Sequence, residues 1–337
     1  MNVEVVNHDK VESFASAFPC DESRPAAMAQ NTTSARPGTI NYVEGQAALD
    51  GQPLAAKAAG QAELAKGQTL ATNDGKVEIL LTPGVFLRVG ENSSVTMVSP
   101  DLTNTEIQLD RGTAEIEVDQ IYKQNHLLVD QGPAQTELLK NGLYEFDGNA
   151  DKVRVFDGEA AVSLAQNSQK WVKVKSHHEL ALNADGTKAQ SFDPDEAASH
   201  DPLYAWSKLR ADYLGQANEA MAQEYAGASG FYPGWRWDPW LYQYTWLPGD
   251  GLFWSPFGYG FYSPAYLYGG GFIYGAPAFR GGYHGHYFPR STTGFRGHTE
   301  PSGHVSSSGG FRGAPAGGGF HGGGHFSGGG FRGGGRR

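Results

Sequence analysis

The sequence of 337 residues holds a single cysteine, Cys20, which excludes an intramolecular disulfide and leaves the redox compartment open. It has no apolar run near the ~18 residues that a membrane-crossing helix needs. The longest candidate, Val77–Val89, is interrupted by Glu78, Pro83, Gly84 and Arg88. Lysine is missing from the last third. From Phe231 onward there are 8 Arg, no Lys and 3 acids, a balance of +5. Up to Gly230 there are 18 Lys/Arg against 33 acids, or −15, and the two parts sum to the net charge of −10. The acidic part argues against nucleic-acid binding through that part. The same boundary divides composition, because residues 231–337 carry 30 of the 47 glycines and 27 of the 41 aromatics. A core is therefore expected in the acidic part, followed by a different material.

What is present is alternation. From Gly67 to Leu182, short stretches with apolar residues at every second position are separated by Gly, Asn or Asp. That is the signature of strands with one buried and one solvated face. Strands are expected at 76–81, 85–89, 94–98, 105–109, 113–118, 126–129, 134–138, 143–146, 152–156, 160–164, 171–175 and 179–182. Turns are expected at Asn73-Asp74-Gly75, Asp110-Arg111-Gly112, Asn141-Gly142, Asp147-Gly148-Asn149 and Asp157-Gly158. So many short strands predict an all-β fold, an antiparallel sandwich or a rolled sheet, rather than βαβ units.

Around this β-domain (residues 38–183) the organisation is as follows. Residues 1–37 are polar and aperiodic, which predicts a disordered leader. Ala27-Met28-Ala29-Gln30 looks like the end of a secretory signal, but Met1–Pro25 has no apolar segment and five acids. Either the apolar segment is missing or the likeness is chance. Residues 201–227 predict one α-helix, with Asp201 as cap, Pro202 in the first turn and Gly227 as stop. Its stripe of Leu203, Trp206, Arg210, Tyr213, Ala217 and Ala220 predicts a helix laid against the sheet edge. Residues 228–277 are dense in aromatics, Pro and Gly, and predict extended loops that pack rings onto the domain. Residues 278–337 repeat Phe-Arg-Gly at 279, 295, 311 and 331 among poly-Gly, a low-complexity composition expected to be disordered alone.

Candidate chemistry is sparse. Glu115, Glu117 and Asp119 alternate on one strand and form the nearest thing to a paired-carboxylate site. The apolar partners Ala114, Ile116 and Val118 make that the ordinary wet side of an amphipathic strand. Asp147-Gly148-Asn149-Ala150-Asp151 spaces oxygens as a calcium loop does but lacks the remaining ligands. His177 and His178 are neighbours in an expected strand, so their side chains diverge. His284 with His286, and His321 with His325, are the low-ranked metal candidates on the Gly-rich tail. The Phe-Arg-Gly repeats join cations to rings as RGG segments do. A charge of +5 over 107 residues is dilute for nucleic acid, which places self-association or surface contact ahead of it. No cofactor is expected.

Four segments in order carry a resemblance. Gly84 to Ser94 (with Arg88 and Gly90), Leu109-Asp110-Arg111-Gly112, Gly142-Leu143-Tyr144-Glu145-Phe146, and Val153-Arg154-Val155-Phe156-Asp157-Gly158 resemble the FecR domain of bacterial envelope proteins, over residues 67–164. The resemblance implies an all-β, non-catalytic domain, periplasmic or at the cell surface. It would act as an interaction or sensory module toward envelope proteins or a cell-wall polymer. In that family the domain takes part in relaying a receptor's state to a sigma factor. This sequence shows neither the cytoplasmic anti-sigma segment nor the transmembrane helix of those regulators. Signal relay, glycan binding or glycan activity, and nucleic-acid binding through the tail are the alternatives.

Overall fold

The computed structural model describes residues 35–165, 170–183, 188–228 and 230–269, all within the first of two units, Met1–Ala278 and Phe279–Arg337. The strands begin with β1 (Ile40–Leu49), β2 (Gln52–Pro53), β3 (Thr69–Leu80), β4 (Val85–Val89), β5 (Ser94–Asp101), β6 (Asn104–Arg111) and β7 (Thr113–Val118). They continue with β8 (His126–Gln131), β9 (Ala134–Leu138), β10 (Gly142–Asp147), β11 (Lys152–Asp157) and β12 (Glu159–Ser163). β13 (Val172–Lys175), β14 (His178–Ala181) and β15 (Gln190–Ser191) complete the set. After them come α1 (Pro194–His200), α2 (Pro202–Glu224), β16 (Gly234–Asp238), β17 (Gln243–Leu247), β18 (Leu252–Trp254), β19 (Gly260–Tyr262) and α3 (Pro264–Tyr268).

The first fifteen strands form one sheet in the order β13-β12-β9-β8-β6-β5-β3-β4-β7-β10-β11-β14-β15, with β1 on β3 and β2 on β1. The order forces the sheet to roll. Only Gly158 separates β11 from β12, yet the two lie nine places apart in the order. Gly112 does the same between β6 and β7, four places apart. Both glycines sit at positive φ, 78° and 98° for Gly112 and Gly158, a conformation that glycine adopts without penalty. β3 turns the third corner, pairing with β5 through Thr69–Ala71 and with β4 through Val77–Leu80. The turn expected at Asn73-Asp74-Gly75 is therefore a bend inside one strand, marked by a bulge opposite Gly45–Ala47.

Rolling brings two halves face to face around one core. Leu70, Ile79, Leu87, Ile116, Tyr144, Phe146, Val153 and Val155 fill it from one half and the bend, and Met97, Ile107, Leu109, Val129 and Val162 from the other. The sheet is mixed rather than purely antiparallel, because β6 and β8 run parallel. The chain leaves β6 for β7 in the opposite half and returns already reversed twice, so it pairs in the same sense.

The half containing β4, β7 and β10 is buried on both faces. Its outer face carries α2 and the hairpins β16–β17 and β18–β19, which replace the loops expected there. Leu80 and Phe86 of the sheet, Leu214 of α2, and Trp235, Tyr244, Trp246 and Phe261 form this second core. Asp201 Oδ1 accepts from the Leu203 amide at 2.8 Å and opens α2. The inward stripe of α2 runs through Leu203, Trp206, Ser207, Arg210, Leu214, Ala217, Asn218 and Met221. Tyr213 and Ala220 face solvent instead. Asn218 binds both hairpins, donating to the Trp246 carbonyl at 2.8 Å and accepting from the Tyr262 amide at 2.6 Å. No helix among the described residues is long and apolar enough to cross a membrane.

A β-carbon on Gly158 would stand 2.3 Å from the Tyr144 hydroxyl, which itself donates to the Lys140 carbonyl at 2.5 Å and accepts from the Glu159 amide at 3.2 Å. Gly158→Ala should therefore cost about 2 kcal/mol or more, from backbone strain and a lost bond across the roll. Urea unfolding of the variant measures it, and Gly51→Ala, with open space around it, is the comparison.

Candidate functional site: a buried charged row

Strand register sets a line of charge across the outer face of the buried half. Glu78 of β3 stands opposite Arg88 of β4, Arg88 opposite Glu115 of β7, and Glu115 opposite Glu145 of β10. Glu145 stands opposite Arg154 of β11, which faces Glu179 of β14. Opposed residues share a face, with Cβ atoms about 5 Å apart. The expectation of a wet strand face at Glu115, Glu117 and Asp119 is overturned. All three are at most 1% exposed, because α2 and the aromatic hairpins cover what the sheet would otherwise show to water.

Arg88 anchors the row. Its Nε donates to Glu78 at 3.0 Å and its Nη1 to Glu117 at 2.5 Å, all three side chains fully buried. Arg210 of α2 reaches Glu78 at 2.9 Å and Gln243 at 2.5 Å, with its guanidinium 4.0 Å above the Tyr42 ring. Asn41 donates to Glu78 at 2.9 Å and accepts from the Tyr244 amide at 2.7 Å. The Ser255 hydroxyl donates to Glu117. Burial works against the Glu78 charge, but Arg210 and Arg88 outweigh it and hold the carboxyl below its ordinary value. For Arg88, burial opposes the charge and Glu117 with Glu78 raises its pKa above the ordinary value.

Further along, the balance fails. Glu115 and Asp119 have no hydrogen-bond partner on either oxygen. Burial, reinforced by Asp201, pushes Glu115 well up; burial, reinforced by Glu117, does the same for Asp119. Glu145, paired with Arg154 at 2.7 Å, is still pushed up to about 7, chiefly by burial and against the pull of Arg154. Glu115 and Asp119 are stored neutral, as buried unpaired carboxyls are.

Of the residues in the motif segments, Arg88, Glu145 and Arg154 join this row. Gly84 ends the turn into β4 and Gly90 follows that strand; Gly112 and Gly158 are corners of the roll, and Gly142 opens β10. Leu109, Tyr144, Phe146, Val153 and Val155 lie in the inner core. Asp147 Oδ1 accepts from the Asn149 and Ala150 amides at 2.9 and 3.0 Å, which makes the suspected calcium loop a hairpin turn. His177 sits in the β13–β14 turn at a φ of 62°, not in a strand. No group of three or more His, Cys, Asp or Glu could hold a metal ion among the described residues. His284, His286, His321 and His325 lie outside the described residues, as do the signal-like stretch and Cys20. Glu78, Glu145, Arg154 and Arg210 were not singled out as site residues. One signal was present, because an arginine in the inward stripe of a helix implies that the surface beneath it is acidic.

No protein-family model matches the sequence, and no curated protein matches it. Two crystal structures of a putative anti-sigma factor from Parabacteroides distasonis align with it at a TM-score of 0.33, at 13% and 12% identity. The alignments cover 39% of this chain and 62% and 63% of those chains. This chain thus spans less than two thirds of the anti-sigma protein, and a likeness of that degree carries no argument about what it does.

Two outcomes follow. Arg88→Met leaves Glu78 and Glu117 buried without their cation and should cost about 3–5 kcal/mol in denaturant unfolding. Separately, a Glu145 that titrates near 7 when folded and near 4.5 when unfolded binds more protons folded than unfolded between those values. Stability should therefore fall as pH rises from 5 to 8, at up to about 1.4 kcal/mol per pH unit for one group. Glu145→Gln should flatten that slope, and an unchanged slope would remove Glu145 from the account.

Proposed function

We propose that this chain is a non-catalytic interaction module of the bacterial cell envelope, of FecR type, which holds a surface polymer or partner on a rolled β scaffold. The observation that carries the reading is burial of the carboxylates. The three acids with the spacing of a hydrolytic pair sit under a helix and two hairpins, where no substrate reaches them, and they serve cohesion of the two layers.

What the second layer offers to solvent is aromatic. At the tip of the β16–β17 hairpin Trp240 is 89% and Tyr242 72% exposed. The tip is rigid, since Asp238 Oδ1 accepts from the Trp240 and Leu241 amides at 2.8 and 3.2 Å. Trp237 packs edge-on against Tyr242 and Tyr244. Tyr242 holds a φ of 50°, a left-handed backbone that aromatic residues rarely take. Strain and exposure at one tip are costs to folding that binding explains. Flat, fixed rings suit the neutral faces of sugars or a partner's apolar side chains.

Purified full-length protein should be retained on cell-wall polysaccharide from the native organism, and Trp240→Ala with Tyr242→Ala should lower retention at least fivefold. The unfolding free energy should change by less than about 0.5 kcal/mol, as for exposed positions. Full retention by the double variant, or recovery of the native protein in the cytoplasm on cell fractionation, would overturn the proposal.

A further inference from the structure

At its far end the charged row opens. Between β10, β11, β14 and α1 lies a cleft of about 460 Å³. Six carboxylates line it, including Glu145, Glu179, Asp193 and Glu196, against Lys152 and Arg154 alone among the lysines and arginines. Its wall already shows one way of holding a guanidinium. Arg154 lies between Glu145 at 2.7 Å and Glu179 at 3.1 Å, with its charge 5.0 Å from the Phe192 ring and 5.8 Å from the Phe156 ring.

The cleft retains capacity after that bond is made. The Glu196 carboxylate, exposed at the rim, makes no hydrogen bond or ion pair with any described residue. Behind Glu145, on the same face and directly opposite it in register, Glu115 is fully buried with both oxygens unpartnered, in the field of Asp201 at the cleft edge. Six acids against one lysine and one arginine leave the cleft short of positive charge. Arginine is the side chain that fits, because its planar fork bridges two carboxylates and stacks on a ring. The sequence supplies that pairing in repeated form, as Phe-Arg-Gly at 279, 295, 311 and 331, in a part of the chain with arginine and no lysine.

We propose that the cleft is a receptor for an arginine next to an aromatic ring, and that its occupant is a Phe-Arg-Gly segment of a second copy of this chain. The inference rests on the interaction-module reading above and gives it a mode of self-association. Each contact is weak, and four repeats per chain multiply it.

Sedimentation of the full-length chain over a concentration series tests this. The wild type should associate, and raising the salt from 50 to 500 mM should reverse it. Glu196→Lys removes the receptor; Arg280→Gln, Arg296→Gln, Arg312→Gln and Arg332→Gln together remove the ligand. Each variant alone should associate at least tenfold more weakly, whereas an equimolar mixture of the two should form heterodimers, since each supplies what the other lacks. Glu219→Lys, on the exposed side of α2, changes net charge by the same amount and should leave association within twofold of wild type. A wild type that stays monomeric, a mixture no more associated than its parts, or equal losses from Glu196→Lys and Glu219→Lys would overturn the proposal. None of these outcomes bears on retention by polysaccharide, so the two readings fail separately.

Discussion

Arg88 is the point through which the two layers of this protein communicate. It sits on a central strand of the rolled sheet, fully buried, with a carboxylate on either side. One of those, Glu78, is also held by Arg210 of the covering helix and by Asn41 of the first strand. The other, Glu117, is held by Ser255 of the last hairpin pair. Removing water from such a set is expensive, and the covering layer meets the cost with two cores of aromatic and aliphatic side chains around it. The order of dependence is therefore polar first. The aromatics supply the area, and the charged row decides where the helix and hairpins must sit.

This arrangement explains why the sheet was more legible in the sequence than its outer face. Strand alternation is a local property, and stretches such as 85–89, 113–118 and 134–138 can be placed residue by residue from it. Alternation tells which residues share a face; it is silent on what covers that face. Glu115, Glu117 and Asp119 follow the pattern of solvated positions, and only the helix and hairpins, which begin at Pro202, turn them into interior groups. The bend in β3 was hidden for a related reason, since Asn-Asp-Gly signals a turn equally well when the strand continues beyond it. The parallel β6–β8 pair follows from the path through β7, a feature of topology with no mark in either strand.

The site that the sequence offered and the site that the structure offers come apart. Paired acids on a strand are half of what a hydrolase needs, but the other half is access, and here access is closed by tryptophan, phenylalanine and tyrosine rings. The cleft at the open end has access and charge together, and it was invisible from spacing. Its residues come from β7, β10, β11, β14 and the α1 region, brought together by the roll. The helix arginine, by contrast, was readable in principle, because an Arg at an inward helical position demands an acid opposite it.

The bond between Asn41 and Tyr244 spans 203 residues of sequence. On a ribosome, the first strand is made long before the partner that seals its outer edge. Until β17 emerges, the sheet, whose last strand ends at Ser191, encloses its inner core but shows its charged outer face without the cover of the hairpins. Such long-range pairing slows folding, since the closure entropy is spent before the contacts return it. The interval is also a period of vulnerability, with strand edges and apolar surface open to other chains. A product truncated before Tyr244 would lack the partner of Asn41 and the rings of the second core, so the hairpins complete the outer layer and not the roll beneath it.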